Sequence, residues 1–115
     1  MDIIINNNKY TVKPVMTNKD IAKGMMNKKF DNEFDGMLFM MEDDSHSFWM
    51  KNCIIPLDII FIKNNIISNI HHNCKPCNTN NCERYKGSGD MVLEIPGGHC
   101  KEYNINEGDE VIFRY

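Results

Sequence analysis

The sequence predicts a mainly β protein: a small antiparallel barrel or sandwich of about seven to nine short strands with one packed α-helix near the N-terminus. Short apolar runs rich in Ile, Met and Phe recur along the chain and are separated by Asn, Gly and Pro. Only one stretch has helical spacing. The 115 residues contain no repeat and no linker, so residues 1–115 are expected to form a single domain.

The N-terminal third is predicted to hold a hairpin and the helix. Residues 2–5 and 10–15 form the hairpin strands, because the intervening Asn run tolerates left-handed turn geometry. Residues 17–28 form the helix, with Thr17 as its N-cap and apolar pairs spaced four residues apart. Gly24 inside this helix would cost about 1 kcal/mol relative to alanine, so we expect it to permit close approach of another backbone.

The central stretch, residues 36–62, has the densest apolar runs and the only tryptophan. Residues 37–41 are apolar without alternation, which indicates a strand buried on both faces. The acidic segment 42–45 is predicted to be a turn, after which residues 46–52 form another strand.

The C-terminal half is predicted to combine short strands with one long loop. Residues 58–63 and 66–70 form a second hairpin around a two-residue Asn turn. Residues 71–89 are rich in Asn, Cys and Gly and are predicted to be an irregular loop, of a length that is often functional. Strands resume at residues 90–95 and 110–115.

Three motifs of the central stretch resemble a known family. GMLF, FWMKN and PLDIIFI, in this order, are similar to the family called domain of unknown function 192, or uncharacterised protein family 0127. The resemblance covers nearly the whole chain from Thr17 onwards. The family has no established biochemical activity, and the resemblance implies a compact, mainly β domain.

Charge and composition narrow the classes of function. The net charge of −3 with no basic run argues against nucleic-acid binding, and no apolar stretch reaches the roughly 18 residues needed to span a membrane. The N-terminus lacks the pattern of a secretory signal peptide, so we expect a cytoplasmic or virion-associated protein unless a signal was removed. Sixteen Asn, fifteen Ile and frequent Lys are typical of an AT-rich genome, as in some viruses and bacteria.

The first candidate site consists of charged residues set among apolar neighbours. In one interpretation, Lys51 pairs with Asp58 or Glu94 and fixes the strand register. In the other, a pocket floored by Phe39 and Trp49 binds a small polar ligand. Its candidate ligand-binding residues are Trp49, Lys51, Asn52, Asp58 and Glu94.

This pocket favours a non-catalytic binding or accessory module for an unidentified small polar ligand or protein. The competing hypothesis is a small hydrolase-like enzyme that uses Asp58 and Glu94 as its acid–base pair. No nucleophile, oxyanion hole or phosphate loop is recognisable in the sequence, so no catalytic residue is assigned beyond these two candidates.

The second candidate site is the cysteine loop. Cys74, Cys77 and Cys82 follow two histidines, and a CxxC pair presents thiolates at the spacing that tetrahedral Zn²⁺ requires. In exported relatives a cysteine pair in this place resembles a disulfide, which implies a bridge from Cys82 to Cys74 or Cys77. Reduced thiols are the cytosolic alternative. A metal- or disulfide-stapled structural protein, virion-associated if the genome is viral, is therefore a third class of function. Zn²⁺ is the one cofactor that the sequence suggests.

Overall fold

The computed structural model of the protein describes residues 1–114, which form seven strands and two short helices. In chain order these are β1 (Asp2–Ile5), β2 (Asn8–Val15), α1 (Asn18–Lys23), β3 (Gly36–Phe48), β4 (Leu57–Lys63), β5 (Ile66–Cys74), β6 (Tyr85–Pro96), α2 (His99–Glu102) and β7 (Val111–Arg114). Neither helix within these residues has the length and apolar character needed to cross a membrane.

The seven strands form one sheet that curls into a half-barrel, in the order β5-β4-β6-β3-β2-β1-β7. Neighbouring strands are antiparallel except β2 and β3, which are parallel. At the open side of the curl, the Ile67 N–H donates to the Asp109 carbonyl at 2.9 Å and links β5 to the chain before β7. The predicted mainly β fold is confirmed. The parallel pair was not predicted, and the crossover of residues 16–35, which contains α1, makes it possible.

Both predicted Asn hairpins are present. Asn6 and Asn7 have φ angles of 48° and 66°, and Asn64 and Asn65 have φ angles of 52° and 63°. Two-residue hairpin turns of this type require positive φ at both central positions, which Asn tolerates better than most residues. The turn chemistry therefore fixes the register of β1 with β2 and of β4 with β5.

The helix α1 is shorter than predicted. It begins after Thr17, whose side-chain oxygen accepts the Asp20 N–H at 3.1 Å. It ends at Gly24, which has a φ of +46° and lies so close to Phe39 that an added Cβ would be 3.3 Å from its ring. The predicted extension to residue 28 is wrong, because Gly24 caps the helix instead of lying inside it. The close neighbour of Gly24 is a side chain and not a backbone.

The acidic segment 42–45 is part of a strand and not the predicted turn. β3 continues through it for 13 residues, and its pairing with β6 resumes at Asp44 after an irregularity that follows Met40. The four side chains of the segment are exposed. A strand that is polar on both faces has no alternation of apolar and polar residues, so its sequence resembles a loop.

The irregular region around the cysteines is also shorter than predicted. β5 extends to Cys74 and β6 begins at Tyr85, so only residues 75–84 lie between these strands. The second helix, α2, was not predicted, because its four residues are too few to show a periodic pattern.

The sheet carries apolar side chains on both faces. An inner core, enclosed by the curl, receives residues from all seven strands, including Ile3, Val12, Leu38, Ile60, Ile67, Leu93 and Val111. An outer core lies on the opposite face of β3, β4 and β6 beneath α1, and includes Met25, Met37, Phe39, Met50, Ile59 and Phe61. Burial on both faces explains why the central strands are apolar without alternation.

Candidate functional site

The five predicted ligand-binding residues lie in three separate places. Trp49 and Glu94 line a cleft on the outer face of the sheet. Asp58 points to the inner face, where the start of α2 covers it. Lys51 and Asn52 lie beside the cysteine loop. Of the five residues, only Trp49 and Glu94 therefore line the outer cleft.

The outer cleft has a volume of about 320 Å³ and lies between α1 and the sheet. Its walls are mainly apolar and aromatic, and include Ile21, Met25, Phe39, Phe48, Trp49 and Cys53. Pockets for small molecules have volumes of roughly 300–1,000 Å³ and are lined in this way. The cleft therefore suits a small ligand.

Glu94 is the acidic group of this cleft. It pairs in register with Met37 of β3 and Ile59 of β4, so all three side chains point to the outer face. The Glu94 side chain is 3% exposed. Burial, without a hydrogen-bonding or charged partner among the described residues, raises the pKa of Glu94 to about 8. At neutral pH the carboxyl group is therefore mostly protonated, and it can both donate and accept a hydrogen bond.

Cys53 lies in the same cleft as a buried free thiol. Burial, with a smaller contribution from the charge of Glu94, raises the pKa of Cys53 to about 11. Since the thiolate is the reactive form of cysteine, this thiol is unreactive at neutral pH. Its position favours a packing role.

The rim of the cleft carries an aromatic–cation pair. The Arg84 guanidinium carbon lies 4.1 Å from the centre of the Trp49 ring, and both residues line the cleft. Sequence reasoning missed Arg84. The one signal for it was its place two residues after Cys82, where the cysteine loop leads into β6.

Asp58 acts as a clamp on the inner face. Its Oδ1 accepts the N–H groups of Asn73 at 2.7 Å and Gly98 at 3.0 Å, and its Oδ2 accepts the Cys100 N–H at 2.8 Å. The side chain is fully buried. Three backbone donors stabilise the carboxylate and tie the ends of β5 and β6 and the start of α2 to β4.

The two buried carboxyl groups point in opposite directions. Asp58 aligns with Ile95, whereas Glu94 aligns with Ile59. Because neighbouring positions of a strand face opposite sides of a sheet, the sheet separates the two carboxyl groups. The structure therefore does not assemble the predicted acid–base pair.

Lys51 does not form the predicted ion pair. Its ammonium group donates to the Thr79 carbonyl and, at 3.3 Å, to the Asn80 side chain. The ion pairs among residues 1–114 join other residues, so the expected pairing of Lys51 with Asp58 or Glu94 is wrong. Lys51 instead anchors the cysteine loop, because the loop folds back alongside the FWMKN motif.

Asn52 contributes mainly through its backbone. Its φ of 59° is left-handed. Its N–H donates to the Cys77 carbonyl at 2.8 Å, and its own carbonyl accepts the Asn27 N–H at 2.8 Å. Asn52 therefore connects the cysteine loop to the segment after α1 and lies outside the outer cleft.

A disulfide joins Cys77 and Cys82, with Cα atoms 5.9 Å apart. The predicted disulfide is confirmed, with Cys77 as the partner of Cys82. Two of the three sulfurs considered as Zn²⁺ ligands are thus bonded to each other and offer no thiolate.

Cys74 is a separate, buried thiol of the outer core, because β5 extends to it. Burial raises the pKa of Cys74 to about 12. This structure therefore does not form the metal set Cys74, Cys77 and Cys82.

Comparison with known proteins agrees with the fold. The chain resembles the crystal structure of a protein of unknown function from Novosphingobium aromaticivorans DSM 12444, with a TM-score of 0.84, 30% identity and coverage of 97% of this chain and 84% of that one. It also resembles a protein from Sinorhizobium meliloti 1021 that has been proposed to be a transcription regulator, with a TM-score of 0.82, 27% identity and coverage of 96% and 89%. No curated protein matches the chain significantly.

The family assignment rests on a match that covers almost the whole chain. Residues 2–113 match the family DUF192, described as Uncharacterized ACR. This range includes every strand and both helices of the described structure except the last residue of β7. The chain therefore belongs to the DUF192 family of uncharacterised proteins.

Proposed function

We propose that the protein is a non-catalytic binding module whose outer cleft takes one small, mainly apolar molecule with a single polar group. The observation that carries the proposal is Glu94, a buried carboxyl group that faces the cleft without a partner among the described residues. The polar group of the ligand would bond to this carboxyl group, and its apolar part would contact Phe39, Phe48 and Trp49.

The energy of the unpaired carboxyl group supports this proposal. A buried polar group without a hydrogen bond costs about 1–3 kcal/mol. Asp58 avoids that cost with three backbone donors, whereas Glu94 has no hydrogen bond to the described residues and lines the cleft. A ligand that completes the hydrogen bonding of Glu94 would recover part of the cost on binding.

The rim of the cleft supports a ligand held by its apolar body. Arg84 stacks on Trp49, and Lys23 and His46 are the other basic residues of the lining. None of these residues reaches Glu94 closely enough to hold its pKa down. The floor therefore offers one uncharged hydrogen-bonding group beneath a weakly basic rim, and such a site selects against a ligand with a cation at its buried end.

The geometry supports a binding module better than an enzyme. The second carboxyl group that acid–base catalysis would use lies across the sheet. The thiol beside Glu94 is protonated at neutral pH, since burial raises the pKa of Cys53 to about 11. Glu94 alone can bind or donate a proton, but the described lining supplies no activated nucleophile for a hydrolase.

Two probes that share an aromatic ring test the proposal: benzamide, which has a polar group, and toluene, which has none. We expect benzamide to change Trp49 fluorescence, and the backbone NMR shifts of α1 and β6, in a saturable way. Glu94→Met keeps the volume of the side chain and should weaken benzamide binding about tenfold. Toluene should bind the variant at least as well as the wild type.

The matched control is Glu102→Gln, which removes an exposed acid on α2. It should leave the binding of both probes unchanged. Equal benzamide affinity in wild type and Glu94→Met would overturn the proposal, as would shifts that never saturate or that lie outside the cleft.

A further inference from the structure

We infer that Asp58, His72 and Cys100 form a binding site for a single divalent transition-metal ion of the Zn²⁺ type. One ligand atom from each residue lies within 4.8 Å of the other two. Asp58 and Cys100 are buried, and His72 is exposed. This site lies at the end of the inner core and shares no residue with the outer cleft or with the disulfide.

An extra residue in β5 brings His72 to the site. Leu57 pairs with Cys74 and Ile59 pairs with His71, so two residues of β5 stand opposite Asp58 alone. A bulge of this kind reorients a side chain and is frequent near functional sites. Asn73, the other bulged residue, has a φ of 49° and donates its N–H to Asp58. Asp58, one of the three proposed metal ligands, therefore also holds the bulge in place.

The start of α2 brings Cys100 to the site. The Cys100 N–H donates to Oδ2 of Asp58 at 2.8 Å, and the Cys100 sulfur lies within 4.8 Å of a carboxylate oxygen of Asp58. Gly98 permits the approach, because its φ of 90° is open to glycine and its N–H donates to Oδ1. The same contacts that clamp α2 onto β4 therefore place a sulfur beside the carboxylate.

The donor set suits a transition metal. Carboxylate oxygen, imidazole nitrogen and thiolate sulfur are the usual ligands of Zn²⁺, and three protein ligands leave one position open. The backbone hydrogen bonds to Asp58 are the kind of support that orients ligating carboxylates. Burial raises the pKa of the Cys100 thiol, and ion binding releases the thiol proton to solvent. His72 is the one exposed residue of the three.

Titration with Co²⁺ tests the inference. The metal-free protein is kept without reductant, so that the Cys77–Cys82 disulfide stays intact. We expect one Co²⁺ per chain and a near-ultraviolet absorption band from thiolate-to-cobalt charge transfer. Cys100→Ser should abolish the band. His72→Ala should weaken Co²⁺ binding at least tenfold, and because His72 is exposed, this variant should fold normally.

Two controls separate this site from other metal-binding groups. His46→Ala removes a histidine of the distant outer cleft and should leave Co²⁺ affinity unchanged. The double variant Cys77→Ser/Cys82→Ser should also keep the band, since the disulfide sulfurs are not ligands of this site. The inference is overturned if no charge-transfer band develops, if the band survives Cys100→Ser, if His72→Ala binds Co²⁺ as tightly as wild type, or if the double variant loses the band.

Discussion

The two buried carboxyl groups differ in their surroundings, although their sequence contexts are nearly the same. Asp58 lies between Leu57 and Ile59, and Glu94 lies between Leu93 and Ile95. On the inner face, Asp58 is satisfied by three backbone N–H groups from chain segments that meet there. On the outer face, Glu94 faces a cleft without a described partner, and burial raises the pKa of Glu94 to about 8.

The difference lies in what each face of the sheet places next to the carboxyl group. The inner face meets the ends of β5 and β6 and the start of α2, whose backbone N–H groups are free to donate. The outer face meets α1 and its aromatic neighbours, and burial alone, without a partner among the described residues, shifts the pKa of Glu94. A carboxyl group with backbone partners contributes to the fold, whereas one without partners remains available for a ligand.

Removal of each carboxyl group tests most directly whether Asp58 and Glu94 differ in their contribution to stability. Asp58→Ala should lower the free energy of unfolding by about 3 kcal/mol or more, because the buried Cys100 N–H and two part-buried N–H groups lose their acceptor. Glu94→Met should raise it at neutral pH, because the variant no longer has to keep a desolvated carboxyl group protonated. Urea unfolding followed by Trp49 fluorescence measures both values.

Asp58→Asn is the milder variant for this experiment. It keeps the shape of the side chain but replaces one acceptor oxygen with a donor, so we expect a smaller loss than that of Asp58→Ala. If Asp58→Ala proved as stable as Glu94→Met, the clamp on the inner face would contribute nothing, and the two carboxyl groups would not differ as described.

The pH dependence of stability tests whether Glu94 is desolvated in the folded protein. Glu94 ionises near its ordinary value of 4.5 in the unfolded chain, and its pKa is raised to about 8 in the folded protein. Between these values the folded state binds more protons, so the free energy of unfolding falls as pH rises. The slope from this group is at most about 1.4 kcal/mol per pH unit.

Glu94→Gln isolates this contribution, because glutamine does not titrate. Urea unfolding of both proteins at several pH values between about 5 and 7 should show that the wild type loses stability relative to the variant as pH rises. Parallel curves would mean that Glu94 ionises normally in the folded protein and is not desolvated by the cleft.

The sequence predicted the positions of the strands better than the face of the sheet on which each side chain lies. The Asn turns and the apolar runs indicated both hairpins and the mainly β fold, because these signals are local. The face on which Asp58 or Glu94 lies depends on the register between β4 and β6, which are separated by β5 and the cysteine loop. Two charges flanked by aliphatic residues therefore looked alike, and the sequence could not show that the sheet separates them.

The candidate site was predicted only in part, because its geometry also depends on how distant segments of the chain pair. Trp49, Phe39 and Glu94 meet at the outer cleft as expected for a pocket. Lys51 was expected there because it follows Trp49 closely in sequence, but the return of the cysteine loop gives it nearer acceptors. The bulge that turns His72 toward Asp58 is a property of strand pairing, and no residue type in β5 reveals it.

The smallest expected effect concerns the rim of the outer cleft. Arg84→Ala removes the guanidinium that packs over Trp49 at 4.1 Å, and the exposed pair should contribute only about 0.5–1 kcal/mol to stability. Its clearer consequence is spectroscopic: Trp49 is the only tryptophan, so replacing the cation with solvent should shift its emission. Lys86→Ala changes an exposed residue of β6 two positions after Arg84, and it should leave both properties unchanged. Identical emission from wild type and Arg84→Ala would show that the pair does not persist in solution. The rim of the outer cleft would then be open to solvent, unlike the inner face, where backbone N–H groups enclose Asp58.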